Sequence, residues 1–253
     1  MDNIIELKNV YFSAQDDRKI LQDVSVNFLA GKVTGIVGPS GGGKSTILKI
    51  SAGLLVPDGG EVLYYGKNIS YMNYNENLDF RRQSAFVFQD SALWANQDLN
   101  QILELPLRIH YPKMDKKDRD KRIREVAEMA GYKKDLYIRP SRLSMGEQKL
   151  IAFARAMLCN PILLFLDEWV ESLDESSAEL LINIVKRRKK EGATAIFVCH
   201  DMRIVNDLAD YIIMVVDGKV TANAPKETLI GEKIINEFLK VGDSVKNADE
   251  WVI

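Results

Sequence analysis

Long apolar runs are missing from this 253-residue chain, and so are most of the residues that would mark a secreted or metal-storing protein. The longest apolar stretches, Ile162 to Leu166 and Tyr211 to Val216, suit buried strands and fall far short of the roughly 18 residues of a membrane span. Only two cysteines occur, Cys159 and Cys199, with no CxxC spacing. They supply neither a disulfide framework nor a zinc site, and read as small buried apolar residues in a reducing compartment. The N-terminus, Met1 to Glu6, lacks the basic and then apolar segments of a signal peptide. An excess of positive charge is also absent: 34 Lys and Arg stand against 36 Asp and Glu, a net charge of −2, so no global field points to nucleic acid. The densest basic cluster, Lys186 to Lys190, precedes Glu191-Gly192. It reads as a solvated helix terminus, with a membrane-surface or partner contact as the other reading. No internal repeat or low-complexity tract is present. What remains is an ordinary globular composition, long enough for one large α/β domain or one domain with an inserted lobe. The expected place is the cytosol, or a docking site reached from it.

Against these absences stands one dense stretch, Gly38-Pro39-Ser40-Gly41-Gly42-Gly43-Lys44-Ser45-Thr46. It follows the apolar run Val33 to Val37 and precedes the helix-compatible run Ile47 to Ala52. Strand, glycine-rich turn and helix are the context in which G-x-x-x-x-G-K-[ST] cradles phosphate. Glycines let the backbone curl around an anion with its N–H groups inward, and the helix start adds its positive dipole end. Lys44 can reach the β- and γ-phosphates, and the Ser45 hydroxyl can hold Mg²⁺. The chain is expected to bind a nucleoside triphosphate.

The rest of the chain alternates in character. Strand-like segments at Ile4 to Phe12 and Val24 to Leu29 flank a polar turn at Gln15 to Arg18, and Pro57 to Gly60 reads as a turn before a strand at Glu61 to Tyr65. Ser84 to Phe88 is a short strand leading to Gln89. From about Ser91 to Leu158 the patterning is helical, and the charge run Lys116 to Arg122 reads as a solvated helix face. Strands return at Ile162 to Leu166 and Ala195 to Val198, with a helix between them from near Asp174 to Gly192. Tyr211 to Val220 resembles a hairpin closed by Asp217-Gly218. Such alternation predicts a mostly parallel sheet with helices on both faces. The predicted layout is an α/β core of residues 1–90 and 159–240, a helical lobe inserted at about 91–158, and a tail from about 241 to 253.

A second set of chemical residues accompanies the loop. The apolar strand ends in Asp167-Glu168, at the sheet edge where phosphate loops open. Asp167 can act on the Mg²⁺ shell, and Glu168 can orient or deprotonate the attacking water. Two solvated, idle acids are the alternative. His200 follows the strand at Ala195 to Cys199 and can hydrogen-bond a γ-phosphate oxygen, the alternative being a structural histidine. His110 lacks such a context. The Gln89 amide can join the metal shell and report nucleotide state to the helical lobe.

Leu143-Ser144-Met145-Gly146-Glu147-Gln148, followed by Ala154-Arg155-Ala156, is similar to the L-S-G-G-[QE] signature and Ala-Arg-Ala helix of the nucleotide-binding subunits of ABC transporters. In chain order the phosphate loop, Gln89, this segment, Asp167-Glu168, Ser172-Leu173-Asp174 and His200 all resemble that family, over about residues 4 to 240. The resemblance implies an ABC cassette of the P-loop NTPase class with an N-terminal antiparallel β subdomain. It further implies ATP and Mg²⁺ as ligands, ATP hydrolysis, and a head-to-tail dimer with itself or a similar cassette. Ser144, Met145, Gly146 and Glu147 would then serve the partner's nucleotide. Ser144 before a helix start offers a hydroxyl, N–H groups and a dipole to a γ-phosphate. Three positions depart from the pattern: Met145 replaces the first signature glycine, Trp169 replaces the proline after the acid pair, and Ala14 stands where many relatives place an aromatic against adenine.

Phe88 to Trp94 and Leu105-Pro106-Leu107-Arg108 resemble the Mla/Mce-type lipid-transport ATPases, as do Val216 to Val220 and Glu237-Phe238-Leu239. That likeness implies movement of phospholipid or another hydrophobic molecule. It places the chain peripherally on the cytoplasmic side of the inner membrane, with an integral permease and a substrate-binding or Mce-type lipid-binding protein as partners. Leu93, Trp94, Ile102, Leu105 and Leu107 are either lobe core or the lining of a groove for a permease helix. The rival readings are an importer or exporter ATPase for another substrate and a soluble cassette of the iron–sulfur assembly type.

Overall fold

Apolar residues recur at Ile5, Leu7 and Val10 and again at Val24, Val26 and Phe28, and all six are buried where the two segments pair as antiparallel strands. The structure is a computed structural model that describes residues 2–231; Glu237 to Leu239 and the tail from about 241 lie outside the described residues. In chain order the first elements are β1 (Asn3–Ser13), β2 (Lys19–Leu29), β3 (Val33–Val37), α1 (Lys44–Ser51), β4 (Gly59–Tyr64), β5 (Lys67–Asn68), α2 (Tyr74–Gln83), β6 (Ser84–Val87) and α3 (Leu99–His110). There follow α4 (Lys116–Met129), α5 (Met145–Met157), β7 (Leu163–Asp167), α6 (Glu175–Lys190), β8 (Thr194–Val198), α7 (Met202–Leu208), β9 (Tyr211–Val216), β10 (Lys219–Pro225) and α8 (Lys226–Gly231). These form two compact units, one of the residues through Asn68 with those from Val198 on, the other of Ile69–Phe197.

In the first unit an antiparallel sheet runs in the order β2-β1-β4-β5, and a second group runs β10-β9-β3. β3 and β9 are parallel, Thr34 opposite Tyr211 through Val37 opposite Met214. β9 and β10 form the expected hairpin. Asp217 (φ 47°) and Gly218 (φ 75°) both take the left-handed conformation that such a two-residue turn demands. One local difference from the sequence reading has a clear cause. β4 starts at Gly59, inside the expected turn, because β1 carries an irregularity between Lys8 and Tyr11 that lets pairing continue to Gly59.

In the second unit the strand order is β8-β7-β6, and β6 runs parallel to β7 from Ser84 opposite Leu163 to Val87 opposite Leu166. Its helices are started by their sequences. Asp115 accepts from the Asp118 N–H, so the charged run opens α4 as expected, with Ile123, Val126 and Ala127 on its buried side. Asp98 and Gln101 form a capping box on α3. α2 has no counterpart in the sequence reading; its weakly apolar face hides it, although Asn73 and Glu76 form a capping box that marks its start. Ile102 and Leu107 are fully buried lobe core, whereas Leu93 and Leu105 are half-buried and Trp94 is 45% exposed. Among the described residues no helix is long and apolar enough to cross a membrane.

Candidate functional site

The phosphate loop grows out of β3, all five of whose residues are buried. Gly38 leaves the strand at φ 142°, and a Cβ there would lie 2.0 Å from the Val215 carbonyl oxygen of β9, so only glycine fits. The tip of the β9–β10 hairpin also holds the loop: the Gly218 N–H donates to the Gly42 carbonyl at 3.1 Å, and the Gly218 carbonyl accepts from the Gln22 N–H at 2.9 Å. Gly218 itself packs so tightly that a Cβ would stand 2.2 Å from the Ile20 carbonyl oxygen.

Gly43 is the N-cap of α1, and Lys44 is its first residue. The Lys44 stem is buried, and its Nζ donates to the carbonyls of Gly38 (2.9 Å) and Pro39 (2.8 Å). Pro39, Ser40 and Gly41 are exposed, and Ser45 and Thr46 are half-buried in the first turn of α1. A loop with exposed backbone at its crest, a buried ammonium and two hydroxyls at a helix start has the donor set that a triphosphate and its Mg²⁺ require. His200 belongs to the same unit, exposed, two residues before α7. Of the β1 end and the turn after it, Ala14 is half-buried, as is Phe12, while Tyr11 is exposed.

In the second unit β7 is buried throughout and ends in Asp167, which is 2% exposed. Glu168, 6% exposed, follows in the left-handed conformation at φ 44°, and Ser172 (φ 66°) repeats it before α6. For residues with a Cβ these conformations are strained and need surrounding structure to hold them. Trp169 is entirely buried and stacks on Phe153 of α5, ring centroids 5.7 Å apart. Asp174 caps α6, accepting from the Ser177 N–H (2.9 Å) and from the Ser176 (2.6 Å) and Ser177 (2.8 Å) hydroxyls. These bonds, the Ser176 hydroxyl first, pull its pKa down to about 2.

Gln89 lies two residues beyond β6, exposed, its amide donating to Glu171 Oε2 at 3.3 Å. Beyond it Ser91 (φ 63°) and Ala92 (φ 44°) form a left-handed pair. Arg155 of α5 holds that pair, donating to the Ser91 (3.0 Å) and Ala92 (2.6 Å) carbonyls with its guanidinium over the Trp94 ring.

α5 also presents the signature segment. Ser144 and Glu147 form its capping box, the Glu147 N–H donating to Ser144 Oγ (3.2 Å) and the Ser144 N–H to Glu147 Oε2 (2.8 Å). Lys134 pairs with the other Glu147 oxygen at 2.6 Å and, with the Ser144 N–H, holds that carboxyl below its ordinary pKa. Met145 is 68% exposed, and a Cβ on Gly146 would approach the Ser172 carbonyl to 3.2 Å.

Sequence reasoning overlooked Lys149, one turn further along α5. It is 3% exposed, and its Nζ donates to the Glu168 carbonyl (2.9 Å) and to the Gln89 carbonyl. Burial lowers its pKa, opposed by the charges of Glu171, Glu168, Asp167 and Asp90. Lys149 directly follows the polar Glu147 and Gln148 at the start of α5, so no local pattern marks it as buried. Thus Gln89, Lys149, Asp167, Glu168 and Glu171 gather in the second unit, and the loop 38–46 and His200 belong to the first.

Comparison with known proteins converges on one family. Residues 21–171 match the ABC transporter family. The chain is 31% identical to the methionine import ATP-binding protein MetN of Clostridium acetobutylicum over 229 residues, 89% of this chain and 70% of that protein. It is 32% identical to the intermembrane phospholipid transport system ATP-binding protein MlaF of Haemophilus influenzae over 247 residues, 94% of this chain and 90% of that protein. A dimeric ATP-binding cassette in a post-hydrolysis state, bound to ADP and Pi, superposes with a TM-score of 0.81 at 31% identity, covering 87% of this chain and 98% of that one. The chain therefore belongs to the ABC transporter family as an ATP-binding subunit with the cassette's P-loop NTPase fold, binding ATP with Mg²⁺ and hydrolysing it to ADP and phosphate in the service of transport.

Proposed function

We propose that this subunit drives the movement of phospholipid or another hydrophobic molecule, working peripherally on the cytoplasmic side of the inner membrane. The observation that carries the reading is the near full-length match to the Haemophilus influenzae phospholipid-system protein, reinforced by the segments Phe88 to Trp94 and Leu105 to Arg108. Two copies, or this chain and a similar cassette, pair head to tail, so that each ATP meets residues 38–46 of one subunit and Ser144, Met145, Gly146 and Glu147 of the other. Residues 1–90 and 159–240 act as the catalytic core, and the lobe at about 91–158 meets an integral permease. A substrate-binding or Mce-type lipid-binding protein completes the assembly.

The roles follow from chemistry. The loop Gly38 to Gly43, through its backbone N–H groups except at Pro39, which has none, and the Lys44 ammonium bind the phosphates, with Thr46 beside them at the helix start. Ser45, Gln89 and Asp167 would hold Mg²⁺, which when bound neutralises charge on the β- and γ-phosphate oxygens. Glu168 orients a water and accepts its proton as the oxygen attacks the γ-phosphorus, the bond to the ADP oxygen breaking and phosphate leaving. His200 donates a hydrogen bond to a γ-phosphate oxygen. The Ser144 cap aims the N-terminus of α5 at the partner's nucleotide, and Glu147 keeps that cap in place.

The experiment is to purify the subunit from its own membranes and measure ATP hydrolysis of the reconstituted complex. Stimulation by phospholipid, with none by methionine, is the expected result. Stimulation by methionine instead would replace the substrate assignment, and a protein never found with membranes would favour an iron–sulfur assembly role. Trp94→Asp, which places a charge on the exposed ring's site, should remove association with the permease while ATP binding persists.

A further inference from the structure

We infer that Lys149 is a positioning residue for hydrolysis, tying the segment after β6 to the segment after β7 so that Gln89 and Glu168 hold a fixed separation. The inference rests on the roles proposed above for those two residues.

The geometry is specific. Lys149 projects from α5 into a site where it is 3% exposed, and a buried ammonium is unfavourable unless its N–H groups are matched. Two of its acceptors are main-chain carbonyls, those of Gln89 and Glu168, which belong to residues 79 positions apart in sequence (168 − 89). A main-chain carbonyl cannot swing away from its residue as a side-chain tip can. Fixing it constrains the direction in which that residue's own side chain leaves the backbone. Both tied segments also need constraint. Glu168 itself sits at φ 44°, and the Gln89 segment continues into the left-handed pair Ser91 and Ala92. At the far end of α5 Arg155 holds the Ser91 and Ala92 carbonyls. One helix therefore anchors the Gln89 segment twice, while only Lys149 also reaches the Glu168 backbone among these bonds.

Charge adds a second reason for a lysine here. Glu171, Glu168, Asp167 and Asp90 all act on this ammonium, which serves as a resident counter-charge within an acidic cluster. An apolar residue of the same length would fill the space and leave both carbonyls, the Glu168 one buried, without this donor. A glutamine would keep an N–H donor but lose the charge.

The test compares Lys149→Met and Lys149→Gln with the parent for steady-state hydrolysis, ATP affinity by calorimetry and thermal melting. The expected result for Lys149→Met is a kcat lower by about tenfold to a hundredfold, the range for losing a supporting contact or misplacing a reacting group. ATP affinity should fall far less than kcat, because residues 38–46, which bind the phosphates, are not touched. Lys149→Gln should fall between Lys149→Met and the parent. If Lys149→Met does not fold, Lys149→Gln decides: parental kcat in a folded Lys149→Gln protein overturns the inference. Loss of kcat, ATP affinity and melting temperature together in both variants also overturns it, since that marks a residue needed only for the fold. Glu168→Gln run in parallel separates the two claims. Parental turnover there removes the general-base assignment, whereas an inactive Glu168→Gln beside fully active Lys149 variants rejects the tie alone.

Discussion

The phosphate loop and the Gln89–Glu168 region solve the same problem, holding reactive groups still, with different materials. The loop is made of backbone. Its shape comes from glycine where Gly38 meets the Val215 carbonyl and from main-chain bonds such as Gly218 to Gly42. The other region is made of side chains. Lys149 and Arg155 reach from one helix to four carbonyls, and residues with a Cβ are kept at Glu168, Ser91 and Ala92 in conformations glycine would adopt freely. The glycines of the backbone device lie close together in sequence, even though the strand and turn that brace them, at Val215 and Gly218, do not. A side-chain device is scattered along the chain, and its parts meet only after folding.

If this contrast holds, lesions in the two regions should fail differently. The largest effect is expected for Glu168→Gln, which keeps the shape and removes the base: turnover should fall by about 10²–10⁴-fold with ATP binding intact. Parental turnover would break the assignment. Next comes Gly38→Ala, where the added methyl meets a carbonyl oxygen of β9 that cannot move without its strand. It should lower stability by about 1–3 kcal/mol and weaken ATP binding as the loop is displaced, so chemistry and binding fail together. A normal melt with normal ATP affinity would refute the tight contact.

The smallest effect separates the regions by pH. Asp174, which starts α6, has its pKa depressed from 3.8 to about 2 in the folded protein. The stabilisation is therefore fully present above pH 3.8 and is lost as pH falls through about 2. Asp174→Asn should melt slightly below the parent near neutrality and converge with it in acid. A gap between the two melting curves that persists unchanged at the acid end would contradict the capping role.

Legibility in the sequence followed the same division. The loop's motif, the helix opened by Asp115 and the hairpin at Asp217-Gly218 are each signalled by residues close together in sequence, and local pattern located all three. Trp94 and Ile102 looked alike as apolar residues of one lobe; only the packing separates a surface ring from a core side chain. Lys149 was invisible for a comparable reason, since its partners lie 60 and 19 residues away. The Ala-Arg-Ala pattern was one part of the family resemblance, but it gave no hint that its arginine clasps the Ser91 and Ala92 carbonyls.

The bond from Gly218 to Gly42 has a consequence for the order of events during synthesis. The phosphate-binding motif is complete at Thr46, yet the β9 strand and hairpin turn that brace it are translated about 170 residues later, as their positions show (218 − 46 = 172). A nascent chain on the ribosome therefore carries the whole motif through about 170 further residues of synthesis without the strand that shapes it. Closing so distant a contact is slow and comes late. The cradle is thus finished only after Gly218 has been made, and a chain released before Tyr211 would have the motif without its scaffold.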